Sequence, residues 1–193
     1  RATAAHSPAA ALRAGIAMVP EDRRAQGLVP MLSVQENLSL SALPLFSTGG
    51  FIQHQRERIA VDRLLKSLLV RATSPAQEVA TLSGGNQQKI VLGRALMVGP
   101  KVLILDEPTR GIDVVAKAEV HGTIDRLAQQ GMAVLLISSE LPEILGMCDR
   151  ILVMRDGDLV GQVARERATE EHLLSLAAGV GAAPQPPVSR HVQ

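Results

Sequence analysis

The chain contains 193 residues, of which 46% are hydrophobic and 20% are charged, and this composition excludes a disordered chain. Basic residues exceed acidic ones by 20 − 19 = 1 and only 1% of residues are aromatic, so neither a basic surface for duplex nucleic acid nor an aromatic platform for stacked bases is expected. The one cysteine, Cys148, excludes an internal disulfide, and no apolar run approaches the roughly 18 residues of a membrane-spanning helix.

The first thirty residues predict a short helix, a buried strand and a charged loop. Ser7 followed by proline is typical of a helix start, and Gly15 is typical of its end. The apolar run 15–20 predicts a buried strand. The charged run that follows predicts a loop, so Arg23 and Arg24 are expected on a solvated surface.

Residues 31–80 predict helices and no buried strand. Ser33 and Glu36 have the spacing of a capping box, so a helix is expected to begin near residue 34. Residues 46–51 are expected to form a loop, and the apolar spacing of 55–70 predicts an amphipathic helix. We therefore interpret this segment as a helical insertion in an otherwise strand-containing core.

From residue 82 onward, apolar strands alternate with helices. Ser83 is expected to cap a helix that runs to about residue 98, and Thr169 a last helix that ends near residue 178. Asp156 and Gly157, between two apolar runs, are typical of a hairpin turn. Two apolar strands and two further helices are predicted at 102–105, 132–137, 115–130 and 141–147. This alternation predicts an α/β fold with a mostly parallel sheet covered on both faces.

Two short motifs carry candidate chemistry. Ser83, Gly84 and Gly85 at a helix N-terminus leave backbone N–H groups open to an anion, although an ordinary serine-capped helix has the same pattern. Asp106 and Glu107 follow an apolar strand, at the sheet edge where α/β proteins bind ligands. Strand alternation would point them in opposite directions, one towards a metal-bound water and the other towards an attacking water. A charged turn is the alternative.

In their order, these motifs resemble the second half of an ABC-transporter nucleotide-binding domain. LSGGNQQK at 82–89 resembles the ABC signature, LILDEP at 103–108 the Walker B strand, and GID at 111–113 the D-loop. With PEDR at 20–23 and SSELPE at 138–143, the chain is most similar to the C-terminal half of the tandem ATPase subunit of monosaccharide (ribose-type) importers. The resemblance covers about residues 5–175 and implies a partial P-loop NTPase fold with an inserted helical subdomain.

The resemblance also implies a role for each candidate residue. Ser83, Gly84 and Gly85 would contact the γ-phosphate of an ATP held by a partner domain, with Gln87 in the same nucleotide-binding segment. Asp106 would hold Mg²⁺ through water, and Glu107 would polarise the attacking water as a catalytic residue. Asp113 would order the seam between the two domains.

Three features depart from the family pattern. No G-x-x-x-x-G-K-[ST] phosphate loop occurs, so we expect this Walker A motif upstream of residue 1, and we expect the isolated chain to be inactive. Glu21, in the nucleotide-binding set, stands where the family has the Q-loop glutamine; a carboxylate there would face phosphate unfavourably, although it could still bind metal. Ser139 stands at the catalytic position of the switch histidine and cannot carry its positive charge. These substitutions predict a catalytically weak site on this half.

The resemblance divides the chain into five parts. Residues 1–30 would be a remnant of the N-terminal core with the Q-loop region, 31–98 the helical signature subdomain, and 99–165 the second half of the ATPase core. A C-terminal helix at 166–180 and a flexible tail at 181–193 would follow.

The implied protein is an ATPase that drives monosaccharide import with ATP and Mg²⁺. Its partners would be an N-terminal ATPase half or second ATPase subunit, a transmembrane sugar permease and, indirectly, a solute-binding protein, with no nucleic acid. It would lie peripherally on the cytoplasmic face of the plasma (inner) membrane. Two alternatives remain open: a degenerate regulatory half that binds nucleotide only within a dimer, and a soluble ABC ATPase acting on nucleic acid or ribosomes, which the charge of +1 disfavours.

Overall fold

The computed structural model describes residues 7–179, so the predicted tail at 181–193 lies outside the described residues. The chain divides into two compact units, Arg1–Ile137 and Ser138–Gln193. The first unit contains α1 (Pro8–Arg13), β1 (Ile16–Val19), α2 (Val34–Ser39), α3 (Leu43–Phe46), β2 (Ser47–Thr48), β3 (Phe51–Ile52), α4 (His54–Ser67), α5 (Gly84–Met97), β4 (Val102–Asp106), α6 (Val114–Gln129) and β5 (Ala133–Ile137). The second contains α7 (Leu141–Met147), β6 (Arg150–Arg155), β7 (Asp158–Ala164) and α8 (Glu170–Ala178).

A three-stranded parallel sheet in the order β1-β4-β5 forms the core of the first unit. Its register places Val19 beside Leu105, and Leu105 beside Leu136. Val19, Leu103 and Leu105 are fully buried on one face. All three strands occur where the apolar runs predict them, and the parallel pairing predicted from strand–helix alternation is confirmed.

The opposite face of this sheet is open to solvent in the described part of the chain. Met18, Leu135 and Ile137 on that face are 52%, 46% and 43% exposed. The expectation that helices cover both faces is therefore wrong for residues 7–179. An all-apolar strand predicts that both faces are suited to burial, but it does not report whether a partner element lies on each.

The segment between β1 and β4 is mainly helical, as predicted. Ser33 and Glu36 form the predicted capping box, in which Ser33 Oγ accepts from the Glu36 N–H at 3.2 Å and Glu36 Oε2 accepts from the Ser33 N–H at 2.8 Å. Hydrogen bonds from Ser33 hold the pKa of Glu36 below its usual value. Residues 46–51, expected as a loop, instead contain part of the exposed β2–β3 hairpin, because Gly49 and Gly50 both adopt positive φ.

The charged segment after β1 is more ordered than a loop. A single π-helical turn spans Arg23–Gly27, and the Asp22 carboxylate accepts from the N–H groups of Arg24 and Ala25. Gly27 is buried, and a Cβ there would lie 2.9 Å from Val91 Cγ2 of α5. The turn is thus packed against α5.

The second unit consists of the β6–β7 hairpin and the helices α7 and α8. The predicted hairpin turn is confirmed, since Asp156 and Gly157 have φ of 52° and 87°. Ile151, Val163 and Leu173 are buried in its small core, where Cys148 packs at the margin and burial raises the pKa of the thiol.

The helices of residues 7–179 all lack the combination of length and apolar character that crossing a bilayer requires.

Candidate functional site

The N-terminus of α5 presents backbone amides at an exposed surface. Ser83 is its N-cap, and Ser83 Oγ accepts from Asn86 Nδ2 at 2.9 Å as well as from the Asn86 N–H. The cap predicted at Ser83 is confirmed. The first amides of a helix have no partner within the helix, so the half-buried Gly84 and the buried Gly85 carry donors at the positive end of the helix dipole.

The N-terminus of α6 meets the N-terminus of α5. A Cβ on Gly85 would lie 2.3 Å from Ala116 Cβ, so the two backbones approach more closely than any side chain at residue 85 would allow. Asp113 is the N-cap of α6 and its Oδ1 accepts from the Ala116 N–H at 2.9 Å. This hydrogen bond holds the pKa of Asp113 below its usual value. The structure thereby brings the predicted signature and D-loop residues together.

An ion pair between a buried lysine and a half-buried glutamate joins the two helices beneath their N-termini. Lys89, only 3% exposed, donates to the Glu119 carboxylate and to the Leu69 carbonyl oxygen at 2.9 Å. Arg71 lies 3.6 Å from the same carboxylate, and its backbone N–H donates to Asn86 Oδ1 at 2.8 Å. These groups line a cavity of about 250 Å³ whose wall also includes Ser83, Gly85 and Asp113. Two cations therefore stand near the paired helix N-termini.

Gln87 faces inward. Its side chain is 7% exposed, and its amide nitrogen lies 3.3 Å from the carbonyl oxygens of Val79 and Ala80, to which it donates. Gln87 therefore supports the turn that leads into the signature and does not line the exposed surface with Ser83. The expectation that it belongs to the nucleotide-binding surface came from motif membership, which does not report the direction of a side chain.

Asp106 and Glu107 stand at the carboxyl end of β4, as predicted. Asp106 is the last residue of the strand, whereas Glu107 has φ of 46°, and its N–H donates to the Ile137 carbonyl oxygen at 2.9 Å. The alternation of side-chain directions therefore ends at Asp106, because the chain leaves the extended conformation at Glu107.

Two adjacent carboxylates fit the donors that Mg²⁺ prefers. The residues at 7–179 hold no group of three or more potential metal-ligating side chains. Magnesium needs no such cage, since it binds through one or two carboxylates and completes its shell with waters and substrate phosphates. Asp106 at the end of β4 is a carboxylate of the kind that can take this part.

Two charged residues after β1 are engaged with the loop before α6. The Glu21 carboxylate forms an ion pair with the Arg110 guanidinium. Arg23, expected on a solvated surface, instead donates through Nη1 and Nη2 to the carbonyl oxygens of Arg110 and Gly111, at 3.0 and 3.2 Å. Arg24 is exposed as predicted. Contacts between residues this far apart in the sequence cannot be predicted from the local pattern of apolar and charged residues.

Ser139 belongs to the second unit and is exposed. The side chain of the preceding residue stabilises the local turn, because Ser138 Oγ accepts a hydrogen bond from the Glu140 N–H at 3.0 Å. The first unit thus contains the signature glycines, Asp106, Glu107, Asp113 and Glu21, and the second contains Ser139.

The sequence matches a family and many relatives. The family described as ABC transporter matches residues 2–110. A putative ribose/galactose/methyl galactoside import ATP-binding protein of Agrobacterium fabrum is 51% identical over 173 residues, 90% of this chain and 35% of the relative. A ribose import ATP-binding protein of Streptomyces coelicolor is 52% identical over 92% of this chain and 35% of the relative. A xylose import ATP-binding protein of Burkholderia ambifaria is 49% identical over 98% of this chain and 36% of the relative.

The chain thus spans about a third of the length of the relatives it matches. Among solved structures, a dimeric ATP-binding cassette in a post-hydrolysis state bound to ADP and Pi superposes with a TM-score of 0.66 at 23% identity, covering 78% of this chain and 62% of that one. A second dimeric bacterial ABC transporter cassette gives 0.65 at the same identity and coverage. The predicted fold, an α/β ABC ATPase fold with a parallel sheet, is confirmed.

Proposed function

Since the chain belongs to the ABC transporter family, we propose that it forms part of an ATPase that binds and hydrolyses ATP to drive sugar import. The observation that carries the proposal is the junction of two helix N-termini, where the exposed Ser83 and half-buried Gly84 at the start of α5 lie beside the exposed N-cap Asp113 of α6. Such a surface suits the terminal phosphate of a nucleotide held mainly by another domain.

The signature surface contributes binding and orientation. Ser83, Gly84 and Gly85 donate backbone or hydroxyl hydrogens to γ-phosphate oxygens, and the two helix dipoles favour the negative charge that grows on these oxygens in the transition state. The close contact between Gly85 and Ala116 holds the first amides of α5 next to Asp113. Asp113 lies at the seam with the companion domain.

The end of β4 contributes the hydrolytic groups. Glu107 orients the attacking water and accepts its proton, and Asp106 would hold Mg²⁺. When bound, Mg²⁺ supplies charge neutralisation at the phosphates. Ser139 stands at the switch position without a titratable ring, so it offers a hydroxyl hydrogen bond and no positive charge.

The names of the relatives support the substrate class. The similar proteins are named for ribose, galactose, methyl galactoside and xylose import, so monosaccharides are the cargo we propose. The partners would be a companion ATPase half or subunit, a transmembrane permease and an external solute-binding protein. The chain would act peripherally at the cytoplasmic face of the membrane that holds the permease.

A second candidate is a half that binds nucleotide only as a regulatory lid. Two observations favour it, namely the serine at position 139 and the Glu21–Arg110 ion pair, which engages the carboxylate that replaces the Q-loop glutamine. Under this alternative the signature surface still completes the companion's ATP site, but the carboxylates of β4 do no chemistry.

The test is Glu107→Gln in the full-length subunit assembled with its permease. Glutamine keeps the size of the side chain but cannot accept a proton, so we expect the ATP turnover of this half to fall by about 10²-fold or more while nucleotide still binds. Steady-state phosphate release and sugar uptake into proteoliposomes are the measurements.

The matched control is Glu166→Gln, which removes one exposed carboxylate from the second unit and should leave turnover unchanged. If Glu107→Gln also leaves turnover and uptake unchanged, this half does no chemistry and the regulatory alternative holds. If the unmodified subunit neither binds nor hydrolyses ATP, both candidates fail.

A further inference from the structure

We propose that Arg23 is a positioning residue that locks the loop before α6 against the N-terminus of α5. This inference rests on the proposed function, because it assigns a role within the same ATP site. Its side-chain hydrogen bonds go to the loop that carries Gly111 and Asp113, and it acts through that loop.

The guanidinium spans two consecutive carbonyl groups. Nη1 donates to the Arg110 oxygen at 3.0 Å and Nη2 to the Gly111 oxygen at 3.2 Å. The planar guanidinium of an arginine can donate to two such acceptors at once. A lysine has a single ammonium group, so its hydrogen bonds to both acceptors would be poorly aligned. The loop is thereby fixed two residues before the N-cap of α6.

The same guanidinium fills the space above the signature. A Cβ on Gly84 would lie 3.0 Å from Arg23 Nη2 and 3.6 Å from the Gly111 carbonyl oxygen. Because residue 84 has no side chain, the turn after β1 and the loop before α6 can both pack closely against the start of α5.

The turn that carries Arg23 is itself held on α5. Arg94 Nη2 donates to the Gln26 carbonyl oxygen at 3.3 Å, and Gly27 is buried against Val91. Arg23 Nε is buried without a hydrogen-bond partner, a cost that is tolerated only where the surroundings dictate the position of the side chain. Both ends of the Arg23 bridge are thus anchored in the first unit.

A second link runs beside the first. Glu21 pairs with Arg110, whose carbonyl oxygen Arg23 also holds. The segment at 21–27 and the loop at 110–113 are therefore joined by one ion pair and two hydrogen bonds. The two segments follow the paired strands β1 and β4, so these contacts add a side-chain link to the one that the sheet already makes between them.

The experiment compares Arg23→Ala, Arg23→Lys and Arg24→Ala in the nucleotide-free full-length subunit by amide hydrogen exchange. We expect Arg23→Ala to reduce protection of the amides at 110–116 by about tenfold or more, because hydrogen bonds from a charged donor are lost. Arg23→Lys should give an intermediate loss. Arg24→Ala removes the same charge from the exposed neighbouring position and should give none.

The kinetic readout is ATP turnover of the same variants. Arg23→Ala should lower kcat/KM by about tenfold while the denaturant midpoint stays close to that of the unmodified subunit, and Arg23→Lys should recover part of the loss. Protection at 110–116 that is unchanged in Arg23→Ala overturns the proposal. So does a loss of protection spread over the whole subunit with a lowered midpoint, which indicates a merely structural role. If the unmodified subunit shows no ATP turnover, the proposed function is wrong. The hydrogen-exchange comparison then still tests the positioning role of Arg23 by itself.

Discussion

Two residues of the proposed site occupy positions that few side chains tolerate. Glu107 adopts φ of 46°, a left-handed conformation that costs a non-glycine residue roughly 1–2 kcal/mol. Gly85 lies where a single methyl group would overlap Ala116 Cβ at 2.3 Å. Strained backbone and close approach of this kind cluster at functional sites, where the surrounding structure imposes them.

Gly85→Ala should destabilise the protein by about 1–3 kcal/mol, because the added methyl forces α5 and α6 apart. Urea denaturation measures the change. Gly122→Ala is the matched control, since a Cβ at this mid-helix position of α6 meets no atom within 4 Å and should stabilise by about 0.5–1 kcal/mol. A Gly85→Ala variant as stable as the unmodified protein would contradict the close packing of the two helix N-termini.

Asp113 should make the stability of α6 depend on pH. Its pKa is lowered by the hydrogen bond from the Ala116 N–H, so its contribution is fully present above the pKa of the unfolded chain and is lost as pH falls through the lower folded pKa. Asp113→Asn keeps an N-cap side chain but removes the charge.

We therefore expect the unmodified protein to be the more stable of the two at neutral pH, and the difference in unfolding midpoint to shrink as the solution is acidified from pH 6 to pH 3. Thermal unfolding at several pH values measures this difference. A gap that stays constant down to pH 3 would rule out the carboxylate as its source.

At the scale of elements, helices α5 and α6 form the platform of the site. Gly85 and Ala116 join them at their N-termini, and Lys89 and Glu119 join them one turn further on. Lys89 is 3% exposed, and its ammonium donates to this carboxylate and to the Leu69 carbonyl oxygen.

Glu119→Leu should destabilise the protein by about 3 kcal/mol, because it leaves the Lys89 ammonium buried without a counter-charge. Adding Lys89→Met should recover most of the loss, since the double variant replaces the ion pair with apolar packing. Guanidinium denaturation of the four members of this double-mutant cycle gives the coupling energy. Additive effects of the two substitutions would show that the pair does not couple α5 to α6.

At the scale of the whole molecule, the parallel sheet has one buried and one open face in the described residues. The open face carries Met18, Leu135 and Ile137, each between 43% and 52% exposed. A contiguous apolar surface of this kind favours association in water.

The 193-residue chain alone should therefore form concentration-dependent oligomers, and Leu135→Thr with Ile137→Thr should shift it towards the monomer. Sedimentation velocity at several concentrations measures this shift. Leu152→Thr is the control, because it removes a leucine of similar exposure (43%) from β6 in the second unit. Equal association of the double variant and the unmodified chain would exclude the open sheet face as the cause.

Many of the local elements, and the identity of the motif residues, can be predicted from the sequence alone. The capping box at Ser33, the caps at Ser83 and Thr169, the hairpin turn at Asp156 and the three parallel strands all stand where the sequence predicts them. Each depends on hydrogen bonds or side-chain periodicity among near neighbours, which a short stretch of sequence specifies.

The tertiary structure alone decided which of these residues meet. Arg23 bonds carbonyl groups 87 and 88 positions away, Gln87 turns inward, and one sheet face stays open although its strands are apolar throughout. Such contacts follow from how whole elements pack, and burial depends on what lies opposite a side chain rather than on its neighbours in the chain. The two carboxylates at the end of β4 are thus readable from the sequence, whereas the Arg23 bridge to the loop before α6 exists only once α5, α6 and the turn after β1 have packed together.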